Sequence, residues 1–436
     1  VRLLMLGWEF PPYISGGLGT ACHGLVCAME RLRLEMLFML PMAIENPGRD
    51  GSGLAANPEG MSLAPTPQPS GRVQFKGIPA WFSSPYPTSV MPRAERPVQP
   101  MAGPSNSRTA PFLMGPTLRL MGTGAVGGYD GDMAARIWDY ADRCARLTQQ
   151  ESFDVIHAHD WMTLPAGMVL AARSQRPLIV QIHATEFDRS GEHMNPALYE
   201  VERRGMEAAV TVIAVSHLTK RIIVERYGIA PEKIRVIHNG IELKAPSAMT
   251  PAIQHKEKTV LFLGRITMQK GPEFFVEAAA LVLERFDNVR FIMAGWGDLG
   301  PHVVERVAAL GLGSKVHFAG FLRGEDVERA YRMADVYVLP SVSEPFGLTA
   351  LEAIQYGVPV ILSKTSGVGE VVPTGVLRCD FWDTHDMASK ILAVLNHPEL
   401  ADHLRQRAYE EIRPLTWDTA AKKCLDVYRE AVSQPK

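Results

Sequence analysis

Two tandem α/β domains, each built on a doubly wound (Rossmann-like) parallel sheet and facing the other across a cleft, are what this sequence predicts. Three observations carry the prediction. Short, near-continuous apolar runs alternate with amphipathic stretches along most of the chain, and strands that are apolar throughout belong to parallel sheets covered on both faces. The runs fall into two sets, separated by the weakly apolar stretch 242–258 with Pro246, Ser247 and Pro251, the composition of an inter-domain linker. No repeat of 20–50 residues is visible, which argues against a solenoid.

Taken in order, the first set of predicted strands is Val1–Leu6, Glu35–Leu40, Phe153–His157, Leu178–His183, Val210–Val215 and Ile234–Ile237. The second is Thr259–Gly264, Val289–Ala294, Lys315–Phe318, Asp335–Leu339 and Val358–Leu362. Helical periodicity between them is clearest at Met133–Thr148, Pro272–Arg285 and Glu325–Met333. This divides the chain into an N-terminal domain over 1–241, a C-terminal domain over 255–412 and a closing helix over 413–436. In open sheets of this kind ligands bind beyond the carboxyl ends of the strands, so two facing domains enclose a deep site.

Composition narrows the class. The chain has 436 residues, 46% hydrophobic and 21% charged, as in ordinary globular proteins. Its 45 Lys and Arg against 47 Asp and Glu exclude a nucleic-acid binder driven by bulk charge. No apolar run reaches the ~18 residues of a membrane span, and the first residues enter a strand-like segment. Five scattered cysteines, Cys22, Cys27, Cys144, Cys379 and Cys424, form no C-x-x-C pair. They argue against a disulfide framework or a zinc site and predict a cytoplasmic setting. Prolines are the anomaly, because 15 of 32 fall within 41–116. That stretch lacks a sustained hydrophobic period and reads as an extended insertion, about 41–128, with a short strand near Val73–Phe75.

Five constellations could carry chemistry. Gly16-Gly17-Leu18-Gly19 follows the first strand, and a glycine-rich turn feeding a helix lets backbone N–H groups approach a phosphate or sugar. It is not G-x-G-x-x-G, since Cys22 holds the last position, and a plain tight turn is the alternative. His157-Ala158-His159-Asp160-Trp161 ends a strand and could orient hydroxyls or bind metal. The two histidines share a side only in a strand, and no third ligand follows at metal spacing. The third is His183, at another strand end ahead of Thr185, Glu186 and Asp188. In Gly264-Arg265-Ile266-Thr267-Met268-Gln269-Lys270-Gly271, two cations five residues apart could clamp a diphosphate, the arginine as a fork and the lysine as a point charge. Two solvated surface cations would be the bland account.

Ser343-Glu344-Pro345-Phe346-Gly347-Leu348-Thr349-Ala350-Leu351-Glu352 is the most specific. A helix beginning near Gly347 would aim the amides of Gly347, Leu348 and Thr349 at an anion, with Glu344 and Glu352 bracketing it for hydroxyl recognition. Ordinary capping would account for the glutamates alone. Trp161, Trp296 and Phe346 could line the cleft, although aromatic residues beside strand ends more often pack.

Together these motifs resemble the retaining nucleotide-sugar glycosyltransferases of the GT-B fold, and among them the bacterial and archaeal glycogen synthases. The resemblance runs from WEFPPYISGGLGT through HAHDW, HATEFDRSGEH, IHNGI, GRITMQKG and AGWGD to SEPFGLTALEAIQYGVPVI, covering all but about 41–128. LTWDTAAKKCLDVYREA is similar to the C-terminal helix that crosses back to the first domain in that fold. The resemblance implies that Glu344 contacts the donor sugar and Glu352 the ribose, while Arg265 and Lys270 neutralise the departing diphosphate. Gly347, Leu348 and Thr349 would hold its distal phosphate, with Gly16 and Gly17 passing close to the donor. His183 would sit beside the reacting sugar and Asp160 would face the reaction centre, with Asn239 a further candidate for the cleft wall.

Asp130-Gly131-Asp132 matches the D-x-D metal motif of a different transferase fold, but reads here as a turn and helix cap. One position departs from the pattern: Ile14 stands where glycogen synthases carry a lysine. The implied activity is α-retaining transfer of glucose from ADP-glucose, or another nucleoside-diphosphate glucose, to an α-1,4-glucan, without metal or other cofactor. The alternatives are transfer to a small or cell-surface saccharide from a UDP- or GDP-sugar, and a non-catalytic glycan- or nucleotide-binding scaffold.

Overall fold

A computed structural model describes residues 1–11, 16–43, 72–80, 131–243 and 256–433. Its two sheets are wholly parallel. The first contains β1 (Arg2–Leu6), β2 (Glu35–Ala43), β3 (Val73–Ala80), β4 (Val155–His159), β5 (Leu178–Ile182), β6 (Thr211–Ala214) and β7 (Ile234–Val236), in the order β3-β2-β1-β4-β5-β6-β7. The second contains β8 (Lys258–Leu263), β9 (Val289–Ala294), β10 (Val316–Gly320), β11 (Val336–Leu339), β12 (Val360–Ser363) and β13 (Leu377–Cys379), in the order β10-β9-β8-β11-β12-β13. Each chain path runs outward from its first strand, then returns to build the other half. The order therefore reverses between β1 and β4, and again between β8 and β11. Such switch points open a crevice at the strands' carboxyl ends.

Helices of the first lobe are α1 (Gly17–Arg31), α2 (Gly131–Leu147), α3 (Leu164–Ser174), α4 (Glu186–Ser190), α5 (Pro196–Ala208) and α6 (His217–Tyr227). The second lobe carries α7 (Pro272–Leu283), α8 (Gly300–Ala309), α9 (Glu325–Met333), α10 (Leu348–Gln355), α11 (Thr384–Asn396) and α12 (Pro398–Ile412). Two apolar clusters cover the faces of each sheet. The last helix, α13 (Trp417–Ser433), belongs to the first lobe's core: Trp417, Cys424 and Tyr428 pack with Leu25 and Met29 of α1. Gly24 permits that contact, since a Cβ there would stand 2.2 Å from the Trp417 ring.

Three sequence readings shift. The stretch 41–128 is not insertion throughout, because Pro41–Ala43 continue β2 and Val73–Ala80 form the edge strand β3. An edge strand has one neighbour and needs few apolar residues; Val73 and Ile78 are buried while Phe75 is exposed, and the prolines around it hid the alternation. β4 lies two residues later than the apolar run suggests, because its buried His157 and His159 interrupt that run. Three-residue β13 carries too little pattern to be read at all. The readings at Ile14, Asp130 and most of the 242–258 linker lie outside the described residues.

Candidate active site

The site residues of the first lobe begin where β1 ends. Helix α1 has no capping side chain at Gly16; the cap comes from Glu9, whose Oε2 accepts the Gly19 N–H at 3.3 Å. A Cβ at Gly16 would stand 2.6 Å from that oxygen, whereas one at Gly17 would meet nothing within 4 Å. Gly16 is thus dictated by the carboxylate's approach, and Gly17 faces open space. Burial raises the Glu9 carboxyl, opposed by the Gly19 amide and the field of Arg265 in the other lobe.

Asp160 closes β4 in the left-handed region, φ 57°, which aspartate tolerates better than most residues. Its Oδ1 accepts the backbone N–H of His183 at 2.6 Å and of Ala184 at 3.5 Å. One oxygen of the carboxylate implied to face the reaction centre is therefore committed to holding the loop after β5. Burial pushes the Asp160 carboxyl up to about 7 in spite of those amides. His183 Nε2 shares a hydrogen bond with His159 Nδ1 at 3.0 Å; the His159 ring lies against His157, and His157 Nδ1 shares a hydrogen bond with the Tyr428 hydroxyl at 2.7 Å. Burial lowers His157 and His183 to about 3 and His159 far below its usual value. At neutral pH this is a row of uncharged imidazoles.

The same loop is fixed from its far side. Thr185 and Asp188 form a reciprocal capping box at the start of α4. Arg189 donates to the Ala184 carbonyl at 3.0 Å and is ion-paired with Glu186 and Glu202, all three buried. Removing the arginine would strand two buried carboxylates, a far larger penalty than losing a surface pair.

In the second lobe the cations follow β8. Arg265 donates to Gln269 Oε1 at 3.1 Å. Lys270 ends a single 3-10 turn, Met268–Lys270. Gly271 (φ 63°) is obligatory there, because a Cβ would stand 2.2 Å from the Pro340 carbonyl. Lys270 Nζ meets Glu344 Oε2 at 2.5 Å, and Ser341 Oγ donates to the same oxygen at 2.9 Å. Gly347 (φ 111°, ψ 57°) turns the chain into α10 without a side-chain cap. The first amides of α10, Leu348 and Thr349, have no acceptor within the helix and carry its positive end. Behind them Tyr337 donates to Thr349 Oγ1 at 2.8 Å, and Tyr331 lies 3.0 Å from Glu352 Oε2. Burial and the Glu352 charge hold the Tyr331 hydroxyl protonated, its pKa far above the usual phenol range.

The two halves touch at the Ser341–Gly347 loop and at Glu370 in the Gly367–Glu370 turn. Ser343 Oγ donates to Asp188 Oδ1 at 2.5 Å, and Glu370 accepts the α6 amides of His217 at 2.8 Å and Leu218 at 2.7 Å. Asn239 is buried beside this crossing, where Gly240 approaches Trp417 too closely for a Cβ. Trp161 and Phe346 belong to the apolar cores, whereas Trp296 is 40% exposed. The structure thus gathers Gly16, Gly17, Asp160 and His183 at one switch point. At the other stand Arg265, Lys270, Glu344, Gly347, Leu348, Thr349 and Glu352.

Sequence reasoning missed Glu9, the Arg189–Glu186–Glu202 cluster and the tyrosine pair. A cap-less α1 preceded by an acid in WEF was the available signal for Glu9. The tyrosines left none, since α9 and β11 deliver them by tertiary packing.

Both lobes match known families. The profile of Glycosyl transferases group 1 matches residues 249–411, and that of Glycosyltransferase Family 4 matches 124–245. An uncharacterized glycosyltransferase of Methanocaldococcus jannaschii is 32% identical over 299 residues, 65% of this chain and 76% of that protein. The chain belongs to the group 1 glycosyltransferases. This transferase is also 26% identical to the glycogen synthase of Mycobacterium tuberculosis over 444 residues, 99% of the chain and 95% of that enzyme. Its fold is GT-B: HepE of Anabaena, in a crystal with UDP and glucose, superposes with a TM-score of 0.65 at 18% identity, over 98% of this chain and 99% of that one. Among the described residues no helix of the transferase is long and apolar enough to cross a membrane.

Proposed function

We propose that this transferase moves glucose, with retention of its α configuration, from a nucleoside-diphosphate glucose to a growing α-1,4-glucan, with ADP-glucose the first donor to test. The observation that carries the reading is the Lys270–Glu344 pair, set 2.5 Å apart beside the uncapped start of α10. Glu344 is buried and Lys270 nearly so, and each charge satisfies the other. A donor diphosphate entering beside Lys270 would take over its charge and release Glu344 to accept hydroxyls of the donor sugar. The amides of Leu348 and Thr349 would receive the distal phosphate, since the unpaired N–H groups and the dipole of a helix N-terminus favour an anion. Arg265 would complete the neutralisation of the leaving group, and Glu352, placed by Tyr331, would accept the ribose hydroxyls.

On this reading the chemistry is electrostatic. Charge develops on the leaving phosphate as the glycosidic bond breaks, and fixed cations and amides stabilise it there without reorganising. The acceptor hydroxyl attacks the same face of the oxocarbenium-like sugar and passes its proton to the departing phosphate. His183 would stand beside that sugar as a neutral hydrogen-bonding group. The reaction would then need no divalent metal and no covalent nucleophile. Correspondence with a glycogen synthase along 99% of the chain supports the glucan as acceptor.

The test is release of free nucleoside diphosphate from ADP-, UDP- and GDP-sugars, with and without glycogen. Glycogen-dependent release from ADP-glucose is the expected result. Release that ignores glycogen but responds to a small or lipid-linked saccharide would overturn the acceptor, and preference for a UDP- or GDP-sugar would overturn the donor.

A further inference from the structure

Cys22 of α1, His159 at the end of β4 and His183 after β5 come from three separate elements, yet one ligand atom from each lies within 4.8 Å of the other two. Cys22 and His159 are completely buried. Two of the donors already face each other, His159 Nδ1 standing 3.0 Å from His183 Nε2. Spacing along the chain could not reveal this set, because Cys22 and His159 are 137 positions apart. One thiol and two imidazoles are the donors that a borderline-soft divalent ion selects, and three such ligands with a fourth position open to water form a complete tetrahedral site for zinc. A second group, His217, His238 and Glu370, also clusters. There the carboxylate already accepts two α6 amides and meets His238 Nε2 at 3.2 Å, which leaves less for an ion to gain.

We propose that Cys22, His159 and His183 form a zinc-binding site, and that an ion held there inhibits transfer. Binding draws the Cys22 proton off to solvent and replaces the hydrogen bond between the two imidazoles with coordination to one cation. The inhibitory consequence rests on the reading that His183 stands beside the donor sugar. The binding itself does not rest on it.

Cobalt(II) and zinc are titrated into the chelator-stripped full-length protein. One equivalent of cobalt should give the intense near-ultraviolet thiolate-to-cobalt band, and zinc should displace it. Cys22→Ser should abolish the band and weaken zinc binding at least tenfold against a competing indicator. His238→Ala and Cys27→Ser, which alter the other cluster and the thiol 3.7 Å from His23, should leave both unchanged. If Cys22→Ser does not fold, zinc-edge X-ray absorption of the unsubstituted protein decides the matter, with one sulfur and two imidazole neighbours expected. No thiolate band, a band lost in Cys27→Ser, or binding lost in His238→Ala would overturn the site. Zinc bound at Cys22 with turnover unchanged would leave the site standing and overturn both the inhibition and the placement of His183.

Discussion

The two sides of the cleft are built on the same switch-point topology but stabilised by opposite means. At the first lobe's switch point the groups are desolvated: the imidazoles of His157 and His183 are held neutral, pushed down to about 3, and the Asp160 carboxyl is pushed up to about 7. They hold shape: Asp160 accepts the His183 and Ala184 amides, and the imidazoles are bonded to one another and to Tyr428. On the second lobe Lys270 and Glu344 form an ion pair beside the first amides of α10, which have no side-chain cap. One face thus fixes geometry and the other supplies field. A sugar needs the first kind of surface and a diphosphate the second, since hydroxyls are recognised by direction and phosphate charge by preorganised dipoles and cations.

The comparison breaks most sharply at Lys270. Lys270→Ala should lower kcat by about 10²–10³, the usual cost of removing a group that stabilises leaving-group charge, and it also strands the buried Glu344 carboxylate. Single-turnover kinetics on the preferred donor check this. Near-normal turnover would mean that the second lobe's field is not what drives the chemistry.

Asp160 tests the other side. Asp160→Asn keeps an oxygen that can accept the His183 N–H and should retain activity to within about tenfold. Asp160→Ala frees the loop and should lose about 1–3 kcal/mol of stability for its unpaired buried amides, with a larger fall in kcat. Equal, deep losses in both variants would show that the negative charge matters rather than the brace.

Acid should separate the lobes by stability. His157 and His183 have folded pKa values of about 3 against an unfolded 6.5. Their neutral burial contributes stability that is complete above pH 6.5 and falls by about 1.4 kcal/mol per group per pH unit below it. His159 adds to the loss in the same direction. Asp160 works against it, because its raised pKa makes the folded state take up a proton between about 7 and 3.8. The net result is loss of stability as pH falls from 6.5 to 5. Hydrogen exchange should show β4 and β5 opening before β8 and β11; simultaneous opening would contradict the contrast.

What could be read from sequence follows the same division. The second lobe's site lies in two contiguous stretches, 264–271 and 343–352, each at a strand end, so residue type and spacing sufficed to single out Arg265, Lys270, Glu344 and Glu352. The alternation of apolar runs and helices likewise led to two parallel α/β domains. The first lobe's site is assembled from distant parts. Glu9 acts on an amide ten residues later, Tyr428 reaches His157 from the far end of the chain, and Cys22 of α1 lies beside His159 of β4 and His183 after β5. No local pattern encodes such meetings. β3 is legible only as a short strand near Val73–Phe75 for a related reason, since in this edge strand, half exposed among prolines, the buried apolar markers among the described residues are Val73 and Ile78.

The smallest effect expected is at Tyr331, where structure adds a support that sequence could not show. Its hydroxyl lies 3.0 Å from both Glu352 Oε2 and the Thr349 carbonyl, and it has a single proton to give. Donation to the carboxylate keeps Glu352 aimed beside the first turn of α10, and Tyr331→Phe removes that bond while the ring, stacked on Tyr356, stays packed. A hydrogen bond to a charged group contributes about 1.5–3 kcal/mol, of which only the part not made good by water is lost. If Glu352 accepts ribose hydroxyls in ground state and transition state alike, the loss should appear as a several-fold rise in KM for the donor with kcat nearly unchanged. A fall in kcat at constant KM would instead place Glu352 among the groups that act only in the transition state, and would move the boundary between the shaping and the charged face to the other side of α10.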